Sequence, residues 1–147
     1  MNQEQIPSLI SHLYTGIPNG AECLLDNRVT FRDPVVIIKG RAQVLSMFNK
    51  LNRLFPRAQV LQLECIEAEV QLSRWILRIN YQPHKRKPPL HTDSFLTELM
   101  IDFSSAGRVR SITEHWKEPL SIRGDGKNPW LRAGRRFLGI GLGVPFP

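Results

Sequence analysis

Apolar positions near the start of the chain recur at steps of three and four. Ile6, Leu9, Ile10, Leu13 and Tyr14 share one face of a helix over 3–14. Pro7 suits only the first turn of that helix. Gly16, Pro18, Asn19 and Gly20 mark a turn, and a short second helix is expected over 21–25. Residues 29–33 alternate, with Val29 and Phe31 on one side and Thr30 and Arg32 on the other. Pro34 interrupts this strand, and a short apolar strand over 35–38 resumes before Lys39-Gly40. The next helix spans 41–55, with Val44, Leu45, Phe48, Leu51 and Leu54 as its buried stripe, flanked by Met47 and Phe55, and Pro56 stops it.

The period then changes to two. A long strand is expected over 58–70, with Leu61, Leu63 and Cys65 on one face. Another spans 74–81, with Trp75, Leu77, Ile79 and Tyr81 facing one way and Arg74, Arg78 and Asn80 the other. A Pro-rich basic loop at 82–89 precedes a third strand over 91–103. A turn at 104–107 precedes a fourth over 108–117. On that last strand Arg110, Ile112, Glu114 and Trp116 share a face, and His115 lies on the other. The order is α-α-β-β-α-β-β-β-β, an α+β class: a curved antiparallel sheet wrapped around N-terminal helices. A shift to Gly and Arg near Leu120 separates a domain over 1–119 from an irregular, basic C-terminal extension over 120–147.

Composition narrows the function classes. The chain has 147 residues, 41% apolar and 22% charged, which suits one globular domain with a core of its own. No apolar run approaches the roughly 20 residues of a membrane span. No basic-then-apolar leader opens the chain, and two cysteines, Cys23 and Cys65, make no disulfide framework, so a reduced, cytoplasmic setting is expected. The net charge of +7 resides in two places. Lys85, Arg86 and Lys87 contribute three charges, and the extension holds five basic residues against Asp125. The remainder balances, with twelve of each sign. This distribution excludes a basic, groove-sized face for DNA. The basic tip reads as a solvated, aggregation-blocking hairpin, or as a contact for RNA or another anionic surface.

Chemistry-bearing motifs are sparse. Four scattered histidines lack metal-ligand spacing, so no metal is expected. His91 and Asp93 sit two apart on one strand face, where a carboxylate orients an imidazole. GIGLG at 139–143 lacks the strand and helix of a nucleotide loop. Trp130, Leu131, Phe137, Leu138, Ile140, Leu142 and Phe146 in the extension call for cover, from the domain or from a second copy.

Two segments carry a resemblance. VTFRDP at 29–34 leads into VVIIKGRAQVLSMF, and GRVRSITEHW occupies 107–116. In this order of elements, over about 3–118, they resemble the nuclear transport factor two-like superfamily, which includes SnoaL-like cyclases and ketosteroid isomerases. The resemblance implies a cone-shaped fold enclosing an apolar pocket for a small hydrophobic molecule. It implies acid–base chemistry without a cofactor, or else a non-enzymatic module that forms homodimers or docks proteins. Asp33 falls where the isomerases keep a general base, although Asp before Pro is equally a turn former. The resemblance turns Glu114 inward as a second carboxylate, with Tyr14, Phe31, Leu99, Ile112 and Trp116 as pocket lining. The isomerases' second acid falls on Leu99, which donates no hydrogen bond, a departure from their pattern.

Overall fold

The computed structural model describes residues 3–81 and 94–117. The basic loop with Lys85, Arg86 and Lys87, the His91–Asp93 pair and the C-terminal extension lie outside these residues.

Helix α1 (Ile6–Thr15) buries Ile6, Leu9, Ile10, Leu13 and Tyr14, the face expected from their spacing. It ends at Gly16, whose φ of 76° lets its N–H donate to the His12 carbonyl at 3.0 Å. The short helix expected next is only a 3-10 turn, Ala21–Leu24. It stops there because Leu25 is already extended and fully buried as the first residue of strand β1 (Leu25–Arg32). Strand β2 (Ile37–Lys39) follows, then helix α2 (Arg41–Leu54), which buries Val44, Met47 and Phe48. Gly40 joins them at a φ of 97°, with its N–H donating to Val29 and its carbonyl accepting from Val44. A side chain would be strained in that conformation.

Strands β3 (Gln59–Ala68), β4 (Leu72–Asn80), β5 (Ser94–Phe103) and β6 (Val109–Trp116) form the expected antiparallel meander. Among the described residues the sheet has the order β2-β1-β6-β5-β4-β3 and is curved and unclosed. It is mixed rather than wholly antiparallel, because β1 runs parallel to β6, pairing Phe31 with Ile112. Alternation within each strand discloses its faces but not its partner's direction, so this junction escapes a sequence reading.

Both helices pack on one face of the sheet. Trp75, Leu77 and Ile79 on β4, Tyr81 just after it, Phe95, Leu99, Ile101 and Phe103 on β5, and Ile112 on β6 join the helical faces in one core. Two irregularities correct the expected faces. Register slips on β3 between Val60 and Gln62 and again after Cys65, so Leu61 stands 52% exposed and Cys65 is exposed, while Val60 and Leu63 pack inward. On β6 the register shifts where Phe103 pairs with Val109, and Arg110 turns outward instead of joining Ile112 and Glu114. A single bulged residue reverses the face of its neighbours, and alternation alone does not show where the bulge falls.

Candidate active site

Three elements bring polar groups into this core. Tyr14 is the last large residue on the buried face of α1, 1% exposed. Its ring meets Phe48 of α2 edge-on, with centroids 4.9 Å apart, and Phe48 meets Phe31 of β1 at 5.4 Å. The Tyr14 hydroxyl donates to Glu114 Oε2. Glu114 lies on β6 opposite Leu99 and is 7% exposed. Its other oxygen, Oε1, accepts the indole N–H of Trp116 at 2.9 Å. Both carboxylate oxygens are therefore engaged, each by a neutral donor.

Asp33 follows the end of β1. Its Oδ1 accepts the backbone N–H of Val35 at 2.7 Å and of Val36 at 2.8 Å, and its own N–H donates to Val36. It is a turn former, as its place before Pro34 suggests. It is also an electrostatic neighbour of Glu114. Oδ2 carries no hydrogen bond among the described residues.

Burial and like charge govern the ionisation of this pair. Loss of water raises the Glu114 carboxyl, the nearby Asp33 charge raises it further, and the bonds from Tyr14 and Trp116 pull the other way, leaving it at about 7. Burial also raises Asp33, against the two backbone N–H bonds that lower it. Tyr14 is pushed up by burial and then by the Glu114 charge beside it.

A contrasting carboxylate sits on the outer face of the sheet. Glu98, 3% exposed, accepts from Arg74 Nε at 2.6 Å and pairs with Lys117 at 2.7 Å. Its carboxyl is held below the usual range, first by the Lys117 hydrogen bond. Among the described residues no cation plays that part for Glu114.

Every pocket residue expected from sequence is buried or half-buried on the inner side. Phe31, Leu99 and Ile112 are core residues, and Trp116 packs against them. Of these, Tyr14 and Trp116 join Glu114 directly. Tyr81 was not among the expected site residues. It is buried, and its hydroxyl is pushed up first by burial and then by the charges of Glu114 and Asp33. Its ring leans on Phe55 at 5.1 Å and Phe95 at 6.3 Å. The signal available in the sequence was its phase with Trp75, Leu77 and Ile79. Among the described residues no group of histidine, cysteine and acidic side chains is arranged to hold a metal.

The fold is that of the nuclear transport factor two-like superfamily. A superfamily protein from Anabaena variabilis superposes with a TM-score of 0.62 at 14% identity, covering 79% of this chain and 86% of that one. A protein from Agrobacterium tumefaciens, assigned as an isomerase of the SnoaL-like family, gives 0.58 at 9% identity over 80% and 100% of the two chains. A protein from Pseudomonas putida, assigned as a polyketide cyclase, gives 0.60 at 12% identity over 78% and 90%. No family sequence profile and no curated protein matches the chain. Among the described residues no helix is long and apolar enough to cross a membrane.

Proposed function

We propose that the protein binds a small hydrophobic molecule against the inner face of its sheet and moves a proton on it, as a cofactor-independent isomerase or cyclase. The observation that carries this reading is a buried carboxyl, Glu114, poised at about 7 beside a second carboxyl, Asp33. Asp33 is the base. Its Oδ1 is pinned by two backbone donors, and Oδ2 takes the proton from a carbon next to a substrate carbonyl. Glu114, when protonated, donates to the Tyr14 oxygen and frees the Tyr14 hydroxyl to donate to the substrate oxygen as negative charge develops there. Asp33 then returns its proton to a second carbon, and no net proton is consumed.

The working form has Asp33 ionised and Glu114 protonated. Activity therefore falls as pH rises through about 7. The test is hydrogen–deuterium exchange next to the carbonyl of simple cyclic β,γ-unsaturated ketones, followed by NMR. Asp33→Asn should lower exchange by about two orders of magnitude or more, the usual worth of a positioned base. Exchange equal in Asp33→Asn and the parent would refute the assignment.

A second reading, a non-enzymatic module that forms homodimers, draws on the edge strand β3. Leu61 and Ile66 there are 52% and 48% exposed on a strand that, among the described residues, has one unpaired side. Two copies pairing through β3 would cover both. Sedimentation equilibrium should then show a dimer that Leu61→Lys with Ile66→Lys converts to monomer. A monomeric parent, or a dimer indifferent to both changes, would remove this reading.

A further inference from the structure

Trp116 is expected from sequence as a pocket wall, yet its polar edge makes the more specific contact. The indole Nε1 donates to Glu114 Oε1 across two residues of one strand. The same geometry occurs independently on β4, where Trp75 Nε1 donates to Ser73 Oγ, also two residues earlier, at 2.9 Å. In an extended strand, residues two apart share a face, and a tryptophan leaning back along the strand brings its N–H over its predecessor. On β4 that predecessor is a fully buried hydroxyl. On β6 it is a carboxylate.

The indole is held there from several sides. Phe95 meets its ring edge-on, with centroids 5.7 Å apart. Trp116 pairs across the sheet with Thr97, whose hydroxyl donates to the His115 carbonyl at 3.2 Å. The Lys117 N–H donates to Leu96 at 3.0 Å. The backbone on both sides of Trp116 is thus tied to β5, and the N–H has a fixed aim.

We propose that Trp116 is a positioning residue for Glu114: its N–H fixes Oε1 and so presents Oε2 alone to Tyr14. Among the described residues the groups facing Glu114 are Asp33, Tyr14, Tyr81 and Trp116, drawn from the β1–β2 connection, α1, the residue just after β4, and β6. Asp33 and burial favour the protonated acid, and the two donors favour the carboxylate. Trp116 therefore sets how much of Glu114 is protonated at neutral pH, and through it the direction in which the Tyr14 hydroxyl points. This deepens the proposed reading of Tyr14 and Glu114, but the geometry it invokes is readable without a substrate.

The experiment is a carboxyl titration followed by 13C NMR of glutamate-labelled protein, with Glu114→Gln identifying the resonance. Trp116→Phe keeps an aromatic ring and removes the donor. It should move the Glu114 midpoint up by about one pH unit or more, the worth of a hydrogen bond to a charged group. Trp116→His, which restores a ring N–H, should bring the midpoint part of the way back. If Trp116→Phe fails to fold, 3-benzothienylalanine at position 116 keeps the indole shape without the N–H. It should give the same upward shift. A Glu114 midpoint within about 0.2 units of the parent in a folded, donor-free variant would overturn the assignment, on the same scale. This readout is independent of the ketone exchange assay, so failure of one does not imply failure of the other.

Discussion

Glu114→Gln is expected to make the protein more stable at pH 8 and to flatten its dependence of stability on pH. The sign follows from the position of the carboxyl. It ionises near 4.5 in the unfolded chain and at about 7 in the folded one. A raised folded value means the native state binds the proton more tightly, so stability is fullest below about 4.5. It is lost as pH rises to about 7 and stays level beyond. The loss is about 3 kcal/mol, since each unit is worth about 1.4 kcal/mol. Glutamine fits the same place. Its oxygen accepts from Trp116, its amide donates to the Tyr14 oxygen, and no charge needs to be buried. Urea unfolding at pH 5 and pH 8 would give midpoints closer together for the variant than for the parent. A parent more stable at pH 8 than at pH 5 would contradict the burial of Glu114 as an unpaired charge. Asp33, raised by burial as well, adds to the slope in the same direction.

Phe48→Ala is expected to cost about 3–5 kcal/mol of stability, the upper range for deleting a buried aromatic side chain. Phe48 is 2% exposed, and its ring lies between Tyr14 and Phe31, tying α2 to α1 and β1 at one point. The space left is bordered by Tyr14 and Phe31, whose rings both meet Phe48 edge-on. The Tyr14 ring then loses the edge contact that aims its hydroxyl at Glu114. The variant should therefore show both a lower urea midpoint and an altered Glu114 titration. A loss below about 1 kcal/mol would mean that the site collapses readily around the gap, which this packing does not allow.

How much of this was legible in the sequence depends on the interaction involved. The stripe of α1 and the alternation of β4 were plain, because each rests on local spacing between apolar residues; on α2 the spacing placed Val44 and Phe48 correctly, but Leu54, expected inside, is 38% exposed at the helix end. Alternation put Glu114 on the face of Ile112, and the family resemblance turned that face inward; burial of Tyr14 followed from its phase with Leu13 and Ile10. Arg110 and Leu61 were misplaced, since each sits at a register shift and a bulge changes phase without leaving a signature in composition. The short helix after Gly20 reduced to one turn because Leu25 is needed in the sheet. Tyr14 and Glu114 were each singled out, but nothing in the order of residues indicates that they bond. Their meeting depends on how α1 packs against β6, between residues 100 positions apart in the chain. Tyr81 was placed on the correct face yet left out of the site for the same reason. The bond from Trp116 to Glu114 is the exception: a spacing of two on one strand already brings the pair together.

The Tyr14–Glu114 bond spans 100 positions of chain, and β1 joins a strand whose first paired residue lies 84 positions beyond Leu25. Contacts this distant require large loops to close before any reward is gained, and they slow folding. The β3–β6 meander requires only neighbouring strands to find one another. During synthesis, helices α1 and α2 and strands β1 to β5 emerge before Glu114 exists. The Tyr14–Glu114 pair is therefore absent from every nascent chain until β6 leaves the ribosome, and β1 waits beside an unfilled sheet edge until then. Folding and completion of the site are in this sense a single event, and a chain cut short before β6 carries Asp33 and Tyr14 with no Glu114 to join them.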